Sequence, residues 1–348
     1  MINERIKTYN SCSKTLADFT DQKIAELLND AKPFHASMWS RSSLLNLNGT
    51  NVFVKKIPLT DIDRLPENFQ STKNLFSLPL YYQYGIGSAG FGVWRELASH
   101  LMATGWVLTG ECLNFPILYH WRVVPCDKPE PMSDEESECL ERDVAYWEGS
   151  DTVRKRLVAS HNASSHIVLF LEYIPRNLYQ WLSVELASGV NVEQAIGMVE
   201  SALKTTTDFM KSQDFIHFDA HFENILTDGK QLYFSDFGLS LSQKFDISSE
   251  ELAFFEGHRT YDRCSTIINF LHCFMTCALE RSQWKDAHLQ EYLDGKYGEI
   301  LPAIAPTVNR YASIALIMAK FYDSLIKGSK LTPYPKEELE HLLKKIDD

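Results

Sequence analysis

The sequence has no apolar run approaching the ~20 residues of a membrane span. Its longest apolar stretches, near 167–171 and 315–319, have the length of core segments. The start, MINERIKTYNSCSKTLADF, is polar and has no apolar h-region, so no secretory signal is expected. Cysteine is sparse and unpatterned: Cys12, Cys112, Cys126, Cys139, Cys264, Cys273 and Cys277 include no C-x-x-C pair. An odd, scattered set excludes a disulfide framework and a zinc knuckle and suits a reducing cytosol. Cys273 and Cys277, four apart in an apolar stretch, read as two small buried residues of a helix rather than as metal ligands. Basic charge is in deficit, with 34 Lys and Arg against 46 Asp and Glu, a net charge of −12. Such a surface repels phosphate backbones and anionic lipid, so neither a nucleic-acid partner nor a membrane is expected. The expected location is the cytoplasm, or the cytosol of another cell into which the protein is delivered without a visible N-terminal signal.

Internal repeats and low-complexity tracts are also missing. What remains is 348 residues, 45% of them apolar, enough for one large domain or two lobes. Residues 15–31 have helical periodicity, with Leu16, Phe19, Ile24, Leu27 and Leu28 near one face. Two β runs follow around Asn48-Gly49, a turn dipeptide, and the second is Val52-Phe53-Val54-Lys55-Lys56-Ile57. A glycine string, Gly85-Ile86-Gly87-Ser88-Ala89-Gly90-Phe91-Gly92, opens a helix beginning VWRELASH. Residues 115–124 read as a strand, the acidic stretch 126–143 as a solvated loop leading into a helix, and 165–173 as a buried strand ended by Pro175. A helix is expected over 192–212, then short β runs at 225–226 and 231–235 around Asp228-Gly229, then helices from 250 onward. Strands first and helices later make an α+β protein with a small sheet lobe and a larger helical lobe.

Chemistry concentrates in His217-Phe218-Asp219-Ala220-His221-Phe222-Glu223-Asn224, followed across the short hairpin by Asp236-Phe237-Gly238. An Asp carboxylate and an Asn carbonyl suit magnesium, and a carboxylate free of the metal can orient a hydroxyl and take its proton. His-x-Asp-x-x-x-x-Asn after a long helix, with Asp-Phe-Gly closing the next hairpin, resembles the catalytic loop and metal motif of the protein-kinase superfamily. The resemblance implies a two-lobed protein-kinase-like fold, with a small antiparallel-sheet N-lobe and a larger helical C-lobe. It further implies a helical extension over 1–33, an ATP lobe over 34–174 and a helical lobe with the catalytic loop over 175–348.

By that resemblance Asp219 is the candidate base, with His217 bracing the loop and Phe237 packing beneath it, and Asn224 and Asp236 are magnesium ligands. Lys55 is the candidate ATP lysine, with Lys56 as the alternative, and Glu96 its carboxylate partner. Glu172 and Tyr173 stand in the hinge that reads adenine, and Asp262 resembles the aspartate that anchors the catalytic loop. The implied cofactors are ATP and Mg2+. The implied partner is a protein substrate carrying Ser or Thr, or a small-molecule hydroxyl acceptor.

The match has departures. His221 makes the loop read HxDxHxxN, as in aminoglycoside and choline phosphotransferases. Phe218 stands where many protein kinases carry Arg, which removes the usual basic partner of a phosphorylated activation loop. No Ala-Pro-Glu follows Asp-Phe-Gly. No glycine occupies 34–40, before the lysine strand, where the family has its phosphate loop. The glycine string at 85–92 lies after the lysine; it either presents N–H groups to phosphate at a helix start or serves as a linker. These features leave three readings: an atypical Ser/Thr protein kinase, a small-molecule kinase, and a scaffold that binds partners without catalysis.

Overall fold

The computed structural model describes residues 2–36, 41–126, 130–278, 289–291, 294 and 302–347. The chain divides into two compact units. Unit 1 is Met1–Ile174 with Asp236–Ser240 and Phe245–Ile247, and unit 2 is Pro175–Ser235 with Leu241–Lys244 and Ser248–Asp348. The architecture is α+β.

Unit 1 opens with α1 (Ile2–Asp18) and α2 (Asp21–Asp30). The single helix expected over 15–31 is therefore broken. Thr20 takes extended backbone angles and its hydroxyl accepts the Lys23 N–H, so it caps a second helix instead of continuing the first. Strands β1 (Lys32–Ala36), β2 (Arg41–Leu47), β3 (Thr50–Leu59), β4 (Leu118–Pro125) and β5 (Ser165–Glu172) form one antiparallel sheet in the order β1-β2-β3-β5-β4. Strand β1 was not anticipated. It occupies the start of the 34–40 segment compared with a phosphate loop, while 37–40 lie outside the described residues. Asn48 and Gly49, at φ 51° and 90°, make the tight β2–β3 turn, the two-residue form whose twist matches that of the strands.

Helix α3 (Val93–Thr109) starts after Gly92 and stops at Gly110, which at φ 78° adopts the left-handed cap. Its Val93, Trp94 and Leu97 pack with Ile57, Leu59, Leu118, Ile167, Leu169 and Leu171 as the sheet's core. Burying such side chains is worth about 1.5–3 kcal/mol each. Helices α4 (Asp134–Tyr146) and α5 (Asp151–His161) enclose a second cluster around Trp147, Tyr82 and Phe91. The acidic stretch before α4 ends in a capping box, with Ser133 and Glu136 each bonding the other's backbone N–H.

Unit 2 contains β6 (Arg176–Asn177), α6 (Leu178–Ser188), α7 (Val192–Ser212), β7 (Phe215–Ile216), β8 (Ile225–Thr227), β9 (Leu232–Phe234) and β10 (Leu241–Ser242). It continues with α8 (Ser249–Gly257), α9 (Tyr261–Ala278), α10 (Ala305–Asp323) and α11 (Lys336–Asp347). Pairing of β8 with β9 turns the chain at Asp228-Gly229, as the sequence suggests. Cys273 is buried and Cys277 half-buried on α9, the helical setting expected for them. Among the described residues no helix is long and apolar enough to cross a membrane.

Candidate active site

In unit 1, β3 delivers Lys55 to the inside of the sheet. Its Nζ lies 2.7 Å from Glu96 Oε1 and 2.8 Å from Asp236 Oδ1. Glu96 comes from the first turn of α3, four residues past Gly92, and both Lys55 and Glu96 are buried. Burial alone would drive the Lys55 ammonium to shed its proton; Asp236 and Glu96 more than offset this, and its pKa stands above the ordinary lysine value. Lys56, the alternative, is half-buried. Asp236 sits at φ 63°, a left-handed conformation that costs a non-glycine residue of order 1–3 kcal/mol and is characteristic of functional positions.

The glycine string at 85–92 has a packing explanation. A Cβ on Gly90 would stand 2.5 Å from the Gly238 carbonyl oxygen, so only glycine permits this approach. The Ile86, Ala89 and Gly90 N–H groups already donate to Tyr84 O, the Tyr82 hydroxyl and the Ser88 hydroxyl. The string thus buttresses the Asp236-Phe237-Gly238 segment, with these three amides committed within the chain. Sequence reasoning missed that partnership. Gln83, whose side-chain amide donates to Leu239 O, and Ser99, 2.6 Å from the Ser240 hydroxyl, hold the residues just beyond.

His100, one turn after Glu96, was also missed, although the i, i+4 spacing on α3 points to it. It is 1% exposed, its ring meets Phe237 edge-on at 4.8 Å, its Nε2 lies 3.9 Å from Glu96 Oε1, beyond hydrogen-bond reach, and neither ring nitrogen has a hydrogen-bond partner among the described residues. Unpaired buried polar atoms cost free energy, so His100→Leu is expected to stabilise the protein by about 1 kcal/mol in urea denaturation. A loss of that size would show that the imidazole is needed.

Glu172 ends β5 and Tyr173 follows it. The Glu172 carboxylate is taken by Arg5 of α1, with Nε and Nη2 at 2.9 and 2.6 Å, and by the Ile117 N–H. Its own N–H donates to Ile117 O. Both groups of Glu172 are thus committed to holding α1 and the start of β4. No sequence pattern signals a pair 167 residues apart. The Tyr173 ring lies edge-on to Phe34, at 6.3 Å.

In unit 2, the loop between β7 and β8 carries His217, Asp219, His221 and Asn224. Asp262, in the first turn of α9, accepts the His217 and Phe218 N–H groups at 2.7 and 2.9 Å. Burial pushes its carboxyl up to about 7 against these two donors. It is therefore an anchor of the loop as well as a helix N-terminal carboxylate. Phe218 stands at φ 63°, unusual for a bulky residue, and its buried ring packs on Tyr261, Phe254 and His258. Aromatic packing surrounds this ring.

His217 braces the loop, with Nε2 2.9 Å from Ser235 O. Asn224 Nδ2 donates to Asp219 O and Oδ2 at 3.0 and 2.9 Å, which turns its amide oxygen away from that bond and fixes the Asp219 carboxylate. His221 Nε2 lies 3.8 Å from Asp219 Oδ1, and its Nδ1 accepts the Glu223 N–H.

His258, beneath Phe218, stacks on Phe254 and Tyr334 and holds Phe254 O at 2.6 Å through Nδ1. Burial lowers its pKa to about 4. Above the ordinary histidine pKa it is neutral whether folded or unfolded; as pH falls, the unfolded chain takes up a proton that the folded one refuses. Stability is therefore expected to fall by about 2 kcal/mol from about pH 8 to about pH 5 through this residue. His258→Phe should lack that share of the pH dependence in urea titrations.

Compared with known proteins, the chain matches no family model and no curated protein.

Proposed function

We propose that the chain is an ATP- and Mg2+-dependent phosphotransferase, an atypical Ser/Thr protein kinase whose acceptor is a protein hydroxyl. The observation that carries this reading is the buried Lys55 ammonium held between the Glu96 and Asp236 carboxylates. A fixed cation with one carboxylate positioning it and another exposed enough to meet a metal is the electrostatic kit of phosphoryl transfer, which needs alignment and charge neutralisation more than covalent help. In this reading unit 1 is the nucleotide lobe and unit 2 the catalytic-loop lobe of a two-lobed kinase-like fold.

Lys55 pairs with the nucleotide phosphates, and Glu96 keeps it extended. Tyr173 contributes to adenine binding through its main chain; Glu172 supports that strand end through Arg5. By the resemblance, Asp236 of unit 1 and Asn224 of unit 2 would each offer magnesium an oxygen, the kind of ligand this ion takes. The metal supplies neutralisation of charge on the phosphates. Asp219 orients the acceptor hydroxyl and takes its proton, held in place by the Asn224 amide.

His221 beside Asp219 favours a second reading, a kinase for a cationic small molecule bearing a hydroxyl, as the HxDxHxxN resemblance implies. The test is incubation of the chain with Mg-ATP followed by intact-mass measurement, with Asp219→Ala as control. A gain of phosphoryl mass in the wild type alone is expected. No gain, but ATP turnover with a panel of amino sugars and amino alcohols, would select the small-molecule reading. Retained Mg-ATP binding without any turnover would make the protein a scaffold.

A further inference from the structure

Away from these residues, unit 2 contains a cavity of about 270 Å³ between α7, the start of α9 and α11. Four cations line it: Lys211, Arg259, Arg263 and Lys344. Arg259 is satisfied, bonded to Asp214 at 2.6 Å and near Glu256 at 3.4 Å. Arg263 is not. It is 7% exposed, and its Nε is buried with no hydrogen-bond partner. Among the described residues its guanidinium meets the Tyr311 ring, at 5.7 Å, and donates through Nη2 to the Tyr311 hydroxyl, at 3.4 Å, a hydroxyl that in turn bonds Glu200 at 2.7 Å. No carboxylate among the described residues pairs with Arg263, Lys211 or Lys344. A buried guanidinium without a direct anion is costly, because burial removes water and one long hydrogen bond to Tyr311 replaces little of it.

Three of the four carboxylates on the same walls are engaged within the chain, and the fourth, Glu340, lies 4.0 Å from Lys336 with both side chains exposed. Asp208 and Asp347 share Lys204, at 3.2 and 2.8 Å. Asp262 accepts its two amides. The cavity therefore presents one forked donor and two ammonium groups, against the single loosely held Glu340 carboxylate, to whatever occupies it. That set matches a tetrahedral dianion, whose oxygens take a guanidinium in bidentate fashion and lysines as point charges. The volume admits a phosphoryl group with a small organic body.

We propose that this cavity binds a small phosphate monoester, with Arg263 as the central contact and Lys211 and Lys344 flanking it. The site shares a wall with Asp262, so its ligand lies against the residue that anchors the catalytic loop. The proposal does not depend on the phosphotransferase reading.

The probe is inorganic phosphate, titrated calorimetrically against the full chain at constant ionic strength with chloride as the balancing salt. Saturable binding is expected in the wild type. Arg263→Met should weaken it by about tenfold or more, the scale of a lost charged hydrogen bond. Lys211→Ala and Lys344→Ala, at the rim, should each weaken it several-fold, and they decide the matter if Arg263→Met fails to fold. Heat equal to that of chloride alone overturns the proposal. Unchanged affinity in the Lys211→Ala/Lys344→Ala double variant does so too, as does binding abolished by Lys55→Met instead.

Discussion

Asp219→Ala is expected to slow phosphoryl transfer by about 10²- to 10⁴-fold, the range for losing a positioned general base. Mg-ATP should still raise the melting temperature of the variant, because Lys55, Glu96 and Asp236 are intact. On the proposed reading, the size of the effect follows from how firmly the carboxylate is held: Asn224 bonds both its Oδ2 and the residue's carbonyl, so the proposed base is fixed in place in the free protein. Asp219→Asn separates the roles. It keeps the shape and cannot take a proton, so its rate should fall as far as that of Asp219→Ala. Single-turnover rates measured at saturating Mg-ATP check both variants. A near-normal rate in Asp219→Asn would remove Asp219 from the role of base.

Asp262→Ala is expected to cost about 2–5 kcal/mol of stability, read from urea denaturation. The mechanism is local: two backbone N–H groups, of His217 and Phe218, lose their acceptor in a buried place, and each orphaned donor carries a desolvation penalty of about 1–3 kcal/mol. A carboxylate acting only through the N-terminal dipole of α9 would cost about 0.3–1 kcal/mol, so the two roles differ in magnitude. Phe218 makes the larger figure the expected one. Its left-handed backbone is held by the Asp262 bond on one side and by aromatic packing on the other. A loss below about 1 kcal/mol would return Asp262 to the simpler role.

Much of this was legible in the sequence because it is written locally. The β3 pattern, the Asn48-Gly49 turn, the buried strand β5 and helix α7 each depend on residues within one element. His217, Asp219 and Asn224 sit within eight residues on one loop, so their spacing alone brings Asn224 to Asp219. The resemblance of the β3 run also pointed to Lys55, with Lys56 as the alternative, and to Glu96 on α3, and Lys55 and Glu96 are the residues found paired and buried. What escaped was set by partners far along the chain. The break at Thr20 turns on a single side-chain cap that periodicity does not register. The commitment of Glu172 to Arg5 has no local sign. The glycine string invited thoughts of phosphate or of a linker, and its reason lies in a carbonyl nearly 150 residues later, at Gly238.

The composition of unit 1 has a consequence for how the protein is made. Lys55 waits 181 residues for Asp236, and Arg5 waits 167 for Glu172. At about 5–20 residues per second, a ribosome releases the lysine roughly 10–40 s before its second carboxylate exists. During that interval the nascent sheet carries a buried-to-be cation with half its counter-charge, and Gly90 faces no Gly238. The unit begun first is thus completed only after the His217–Asn224 loop of the other has been synthesised. A nascent chain stalled just after Ile174 holds every strand of the sheet and still lacks a finished unit 1.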